Sequence, residues 1–597
     1  MGEVISGKQS EAISEKPVFV SNFKPSLKAE RVLRTGRILG EDETPQRMIE
    51  RVVQTLFVEP EKKFGTSNKE IEAMMRDFGY FLDEKFIVMS TPVMTNAGRY
   101  PDRPLSACTV PPVDLRGDFS KMRELITRFH EDGMGTGFNL TDVDDPVSLL
   151  RFLNDVAVEG AESGREDRPV GNMAILSVYH PRIKDFIDAK LYADDKGERW
   201  IFNISVDVDQ QFMDRAVNDE EYVLMDGTRL NAGDVLRQIA RNAHQCADPG
   251  LIMLARMEDD NPTPSIGRYV STAPCAEVGL APGESCQFGY LNLGRFVQNG
   301  EINIELLEKA TRLLTRALDN ALEVSLERYP AEENRRLMGA KRKIGIGVCG
   351  VADLLLIRGI PYDSKEAYEA IRDLVAFINY ISKLESHELA KIRGPFGAMY
   401  SIIGNRYLEG EGFIKRKYGQ LETEYVSSGD FLALDQLIKE THLLRNASTT
   451  ALPPTGRSAL VIDASTGIEP LFSLLEIDGS INPILRNVLS NQGLLTDVIV
   501  DEIQRTGRIG HISQIPENIR RVFRTALEIR PEDHIAMVAE AQRAVDESIS
   551  KTINLPESAT VEDVLRLFLI AYRSGLKGIT VYRSGSRRIQ PKNLTKV

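Results

Sequence analysis

A chain of 597 residues that is 42% hydrophobic and 27% charged has the composition of a globular protein with a sizeable core. Its 87 acidic against 74 basic residues leave a net charge of −13, which argues against a nucleic-acid-coating surface. No apolar run approaches the ~18 residues of a membrane span, the N-terminal MGEVISGKQSEAISEKP lacks a signal-peptide core, and five scattered cysteines suit a reducing compartment, so the chain reads as cytoplasmic, with neither nucleic acid nor membrane as partner.

Residues 1–24 read as a flexible tail. Over 25–88 the pattern predicts a small helical domain. ETPQRMIERVVQTLF puts Met48, Val52, Val53 and Leu56 at helical spacing behind a Thr44–Pro45 start, and IEAMMRDFGYFLDE repeats the pattern. From 89 to 585 strands and helices alternate, which predicts an α/β body, and 586–597 read as a C-terminal tail. FIVMSTPVMTNAGRYPDRPLSACTV is strand and turn and carries Cys108; a helix follows from Phe119 to His130. GMGTGFNL, Gly133 to Leu140, reads as a Gly-rich turn and lacks the GxGxxG frame of a dinucleotide site. PVSLLRFLNDVAVEGAE and DQQFMDRAV read as helices, Ala174 to Val178 and IFNISVDV as strands. IELLEKATRLLTRALDNALEVSL is a long amphipathic helix, and RKIGIGVCGVADLLL a buried strand carrying Cys349. Cys246 and Cys349 read as plain core. A helix from Val561 to Ser574 and a strand, GITVYRSGS, close the body.

Between these halves lies STAPCAEVGLAPGESCQFGYLNLGRF, Ser271 to Phe296, with Cys275 and Cys286 eleven residues apart and Glu277 between them. Gly279, Pro282 and Gly283 make the chain fold back here. If Ala273 to Glu277 is extended, Ala273, Cys275 and Glu277 share one face, and a thiol and a carboxylate share one pocket. Those parts suit radical or redox chemistry on a hydroxyl-bearing substrate. A lone cysteine is also commonly a small core residue, and the spacing is not a CxxC pair, so both readings stand on this stretch alone. Further on, the Pro454–Thr455–Gly456 turn followed by Arg457 and Ser458 has the amides, hydroxyls and guanidinium that a phosphate takes, and equally fits an ordinary turn.

Taken in order, STPVMTNAG, LSAC, GMGTGFNL, NMAILSVYHPRIKDFIDAK, FNISV, NPTPSIG, STAPCAEVGL, ESCQFGYLNL, RKIGIGVCGVADLL, PPTGRSALVIDASTGIEPLF, SKTINLPESATVEDV and KGITVYRSGSR resemble the large chain of adenosylcobalamin-dependent (class II) ribonucleotide reductases, from about Pro25 to Arg587. The resemblance implies a ten-stranded α/β barrel of two five-stranded half-barrels with a central finger loop, plus a helical N-terminal domain. It implies that Cys275 carries the thiyl radical, that Glu277 is the base at the 3′ hydroxyl, and that Cys108 and Cys286 deliver two electrons as the 2′ hydroxyl leaves. It places Ser90, Thr91, Pro454, Thr455, Gly456, Arg457 and Ser458 at the substrate. The short gap from Cys275 to Cys286, a single Tyr582 where the iron-dependent class has a tyrosine pair, and the lack of a glycyl-radical motif imply adenosylcobalamin as cofactor. The implied partners are a ribonucleoside di- or triphosphate, an external thiol or redoxin reductant, and a second copy in a homodimer.

The chain also departs from the family. The finger pattern Asn-Pro-Cys-Gly-Glu is here Ala273-Pro274-Cys275-Ala276-Glu277, and the serine before the first redox cysteine is Ala107. The segment after Leu140 is short, the second effector loop reads GREDRPVG, no ATP-cone precedes the helical domain, and SRRIQPKNLTKV holds no cysteine pair. These departures point to a divergent reductase, or to a relative that transforms one dedicated nucleotide without effector control, with net reduction or without it. A nucleotide-sensing or structural homologue is a third reading, against which the joint presence of Cys108, Cys275, Cys286 and Glu277 argues.

Overall fold

The computed structural model describes residues 18–163, 170–193, 197–476 and 478–587. The two expected tails lie mostly outside them, as does most of GREDRPVG (164–169). Three helices open the chain: α1 (Leu27–Thr35), α2 (Pro45–Lys63) and α3 (Asn68–Asp83). Each start is fixed by a side-chain oxygen on an otherwise orphan amide: Ser26, Thr44 with Pro45 behind it, and Ser67 in a capping box with Glu70. The face carrying Met48, Val52, Val53 and Leu56 is buried, together with Ile71, Met75 and Phe78 of α3, so the helical period over 44–84 is the packing period.

The strands that follow are β1 (Ile87–Met89), β2 (Cys108–Thr109), β3 (Gly135–Asn139), β4 (Asn172–Ser177) and β5 (Phe202–Asp207), then a small hairpin of β6 (Glu221–Val223) and β7 (Arg229–Asn231), and β8 (Gly250–Ile252). The helices α4 (Thr91–Asn96), α5 (Phe119–Glu131) and α6 (Pro146–Ser163) lie among them. The strands β2, β3, β4, β5 and β8 are neighbours in that order and all parallel. Met173 to Leu176 are buried on both faces, as a parallel strand covered by helices must be.

Past residue 270 come β9 (Ser271–Thr272), β10 (Gly279–Leu280), β11 (Ser285–Cys286), β12 (Phe288–Asn292), a two-residue ladder of β13 (Val297–Gln298) and β14 (Glu301–Ile302), β15 (Gly345–Cys349), β16 (Thr552–Leu555) and β17 (Gly578–Arg583). β12 runs parallel to β15 and β16 parallel to β17, with single parallel bridges from Ile346 to Thr450 and from Leu452 to Ile549. Three antiparallel contacts join this set to the first, β12 on β1, β17 on β8 and β11 on β2. The whole is an α/β barrel-like fold preceded by a helical region. Helices Pro483–Asn491, Asp497–Thr506 and Glu517–Val522 gather a separate apolar cluster around Leu485, Leu489, Ile503 and Ile515.

Four local expectations are corrected. The stretch from Phe86 to Val110 is not strand and turn throughout, since Thr91–Asn96, with Pro92 in its first turn, is the helix α4. Gly133 to Leu140 is mostly strand, because its glycines leave room for the chain that lies on it. A Cβ at Gly137 would stand 2.0 Å from Thr272 O, and one at Gly135 2.9 Å from Pro274 Cγ. RKIGIGVCGVADLLL is strand only to Cys349; Gly350, at φ 69°, turns the chain into the helix Val351–Arg358. Ala273 to Glu277 is not extended but forms the tip of the β9–β10 hairpin.

Candidate active site

The hairpin of β9 and β10 pairs Thr272 with Gly279 and Ser271 with Leu280. Its tip is closed by the Ala273 amide on Val278 O at 3.0 Å and the Ala276 amide on Ala273 O at 2.9 Å. Ala276 sits at φ 62°, a left-handed conformation that costs an alanine about 1 kcal/mol. The turn, not strand alternation, therefore sets the side chains. Ala273 is buried, Cys275 is exposed at the apex, and Glu277 points back into the protein. From β5, Asn203 Nδ2 donates to Pro274 O at 3.2 Å.

Glu277 is the electrostatic singularity of the tip. Its main-chain carbonyl accepts from the Ser548 amide at 3.0 Å, and Oε2 has no hydrogen-bond partner among the described residues. Burial pushes its carboxyl up to about 7, opposed only in part by the backbone amides of Glu277 and Cys275. The carboxyl therefore lies against the backbone of the exposed thiol and changes protonation near neutral pH.

The other two cysteines meet in a ladder. Cys286 of β11 is the direct antiparallel partner of Cys108 of β2, and its Sγ stands 3.8 Å from Cys108 O. Opposed residues have Cα atoms about 4.5–5.5 Å apart, within the range a disulfide takes. Cys108 is also in register with Gly135 of β3, whose Cα region touches Pro274. The pair is thus one strand away from the finger tip, and Cys108, Cys286, Cys275 and Glu277 occupy one neighbourhood.

Ser90 caps β1, and its amide donates to Phe288 O at 3.1 Å, two residues beyond Cys286. Ser90 Oγ is buried without a hydrogen-bond partner among the described residues, and Thr91 begins α4. Thr455, at φ 55°, accepts the Gly467 amide on Oγ1 at 2.8 Å; Pro454, Gly456 and Arg457 are exposed and Ser458 is buried. The helix Gly456–Val461 packs against β1, so the turn and Ser90–Thr91 flank the same strand. Cys349 and Cys246 lie elsewhere. Burial pushes the Cys349 thiol up strongly and the Cys246 thiol up to about 11. A surface groove of about 570 Å³ along Phe119, Arg123, Arg128 and Phe152 belongs to α5 and α6; convergent polar groups rather than volume single out the finger.

Residues 141–582 match the ribonucleotide reductase barrel-domain family. The chain is 32% identical to a vitamin B12-dependent ribonucleoside-diphosphate reductase of Mycobacterium tuberculosis, over 95% of this chain and 80% of that protein. The chain belongs to the class II ribonucleotide reductase family. Identity to the protein of the same description from Thermoplasma acidophilum is 30%, again over 95% of this chain and 80% of that one. The alpha subunit of the class Id ribonucleotide reductase of Actinobacillus ureae shares the fold at TM-score 0.72 and 18% identity, covering 94% of this chain and 98% of that one. Set within this reductase family, the finger differs by its buried Ala273, which puts a methyl where a side-chain amide is expected.

Sequence reasoning passed over Asn203 and Ser548, which hold the tip from β5 and from the segment before β16. Asn203 left one signal: an amide in FNISV at a position between buried Phe202 and Ile204.

Proposed function

We propose that this chain reduces ribonucleotides to 2′-deoxyribonucleotides by thiyl-radical chemistry started from adenosylcobalamin. The observation that carries the proposal is an exposed thiol, Cys275, whose backbone abuts the buried carboxyl of Glu277, lifted by burial to about 7, one strand away from the Cys108–Cys286 pair. The surroundings of the tip suit a bulky hydrogen-atom acceptor. Gly171 and Asn203 are exposed beside Pro274, and Gly578 faces Ala276, so the glycines on either side of the tip leave room around the exposed Cys275. When bound, adenosylcobalamin supplies homolytic carbon–cobalt cleavage and with it an acceptor for the Cys275 hydrogen atom.

The residues then divide the work. The Cys275 thiyl takes the 3′ hydrogen of the ribose, and Glu277 takes the proton of the 3′ hydroxyl. The 2′ hydroxyl leaves as water with a proton from the cysteine pair. Cys108 and Cys286 give two electrons and end as a disulfide, and Cys275 returns its hydrogen to C3′. Per turnover, one ribonucleotide and two thiols become one deoxynucleotide, one disulfide and one water, and an external thiol or redoxin restores the pair. Ser90, Thr91 and the turn from Pro454 to Ser458 hold the phosphates, with the guanidinium of Arg457 exposed to them. The relatives from Mycobacterium tuberculosis and Thermoplasma acidophilum are ribonucleoside-diphosphate reductases, which favours a ribonucleoside diphosphate over a triphosphate.

We also infer the ten-stranded form, two half-barrels of five parallel strands joined antiparallel. Supporting it are the parallel run β2 to β8, the antiparallel contacts at β8–β17 and β2–β11, and the two bridges that link β15 through Thr450 and Leu452 to Ile549. The helical domain is then 25–88 and the barrel 89–585.

Ala273 favours a second reading, a redox-neutral radical enzyme on one nucleotide, because a methyl cannot hold the 2′ hydroxyl. One experiment decides. The protein is incubated anaerobically with adenosylcobalamin, dithiothreitol and a panel of ribonucleoside di- and triphosphates, and the product sugar is identified. A 2′-deoxy product supports reduction; a product that keeps its 2′ oxygen supports the second reading.

A further inference from the structure

Behind the finger lies a fully buried set of charges that the chemistry above does not use: Lys341, Lys343, Glu284, Glu547 and the hydroxyl of Tyr269. Lys343 is its centre. Its Nζ donates to Tyr269 Oη and to Gly279 O, both at 2.8 Å, and lies 2.9 Å from Glu284 Oε1 and 3.2 Å from Glu547 Oε1. Tyr269 Oη in turn donates to Glu547 Oε1 at 2.9 Å, and Lys341 Nζ takes the other oxygen of Glu284 at 2.9 Å. Two ammonium groups thus balance two carboxylates in a space closed to water.

Each partner of Lys343 belongs to a different part of the site. Gly279 is the first residue of β10, the returning strand of the finger, and the Tyr269 ring packs where a Cβ on Gly279 would stand, 2.3 Å away. Glu284 precedes Ser285 and Cys286 on the way into β11. Glu547 precedes Ser548, whose amide holds the Glu277 carbonyl. Lys343 itself lies two residues before β15. One ammonium therefore joins the base of the finger, the strand of Cys286 and the support of Glu277.

We propose that Lys343 is a positioning residue that holds the finger in register with the strand of Cys286, so that hydrogen abstraction at Cys275 is followed by reduction from the Cys108–Cys286 pair. The proposal rests on the radical-reduction reading. A shared clamp makes a specific demand: its loss misaligns two halves of one reaction, and a misplacement of about 1 Å costs such a step on the order of a hundredfold. A residue that served stability alone would lower both halves together.

The test removes the clamp without leaving a lone buried charge, in the double variant Lys343→Met with Glu547→Gln. Measured on the adenosylcobalamin-loaded protein are substrate-dependent hydrogen exchange into the cofactor's 5′ carbon and deoxynucleotide formed. Measured without cofactor is deuterium exchange at the amides of Ala273 and Ala276. The expected result is a ratio of abstraction to product raised about tenfold or more, with faster amide exchange at the tip and unchanged exchange in β4 and β5. An unchanged ratio with unchanged tip exchange overturns the proposal. If the double variant does not fold, Tyr269→Phe, which removes one neutral hydroxyl and keeps every charge, decides by the same ratio. A wild type that makes no deoxynucleotide refutes the reductase reading instead, and the amide exchange then decides the clamp by itself.

Discussion

Glu277 and Asp319 are both acids sealed inside this protein, and their surroundings are opposite. Asp319, on the helix Ile304–Ser325, meets Arg342 at 2.7 Å, Arg393 at 2.8 Å and Arg445 at 3.3 Å, with the Asn446 amide also at 3.3 Å. Burial opposes its charge, but Arg342, Arg445 and Arg393 outweigh that and hold the carboxyl far below the usual range. Among the described residues Glu277 meets no cation and leaves one oxygen without a hydrogen-bond partner, and it is lifted to about 7. A buried charge that serves the fold is surrounded by counter-charges. Glu277, left short of them, is instead poised to change protonation near neutral pH, at a cost in stability.

Four experiments break or sharpen that contrast. The largest effect is expected at the thiol the carboxyl adjoins. Cys275→Ser should abolish turnover and hydrogen exchange, because an oxygen-centred radical is too costly to form in place of a thiyl; wild-type rates in this variant would remove Cys275 from the chemistry.

Next come the two acids themselves, with opposite signs. Glu277→Gln should slow the reaction about 10²- to 10⁴-fold, yet make the fold more stable at pH 8 by on the order of 3 kcal/mol. Asp319→Asn should leave three arginines short of a partner and cost about 3–5 kcal/mol. Urea unfolding of both variants checks the pair, and a destabilised Glu277→Gln would contradict the contrast.

The third test is the pH profile. Folded Glu277 keeps its proton up to about 7, whereas in the unfolded chain it loses it near the ordinary carboxylate value of 4.5. Folding therefore binds the proton between these limits, and the Glu277 contribution to stability falls as pH rises across that window. Activity that needs the carboxylate moves the other way, rising toward pH 7 and levelling above it. Asp319 behaves conversely, since its depressed carboxyl adds stability that persists above the usual carboxylate range and is lost only as acid protonates it. Rate and stability measured across pH 5 to 8 should thus run in opposite directions in the wild type; in Glu277→Gln the fall of stability with pH should become shallower without vanishing, because burial also lifts Asp132 and Asp207 to about 7.

The smallest effect is expected at the turn beside Glu277. Ala276→Gly relieves the left-handed strain and loosens the unfolded chain, so thermal stability should change by no more than about 1 kcal/mol.

How much of this was legible in the chain depended on how local its cause was. The helices of the first 84 residues follow from Thr44–Pro45, Ser67 with Glu70 and a 3.6-residue apolar period, all of which act within a turn or two. The strand Gly135–Asn139 was misread because its glycines depress strand propensity, and their reason, the backbone of Thr272 and Pro274 lying on them, is distant in sequence. Cys275, Glu277, Cys108 and Cys286 could be named from motif order, yet the extended tip that the period suggested gave way to a turn at Ala276. Lys343 and Glu547 carried no signal at all, since a lysine before a strand and an acid before a serine are ordinary until the fold closes around them.

Cys108 and Cys286 face each other although 178 positions separate them along the chain. A bond between them would deny the unfolded polypeptide a large share of its freedom, worth about 5 kcal/mol for a loop of that size. The oxidised molecule should therefore outlast the reduced one under heat or urea, and every turnover would carry the protein from a softer state to a hardier one and back. A cell short of reductant would then hold its idle supply in the more durable form.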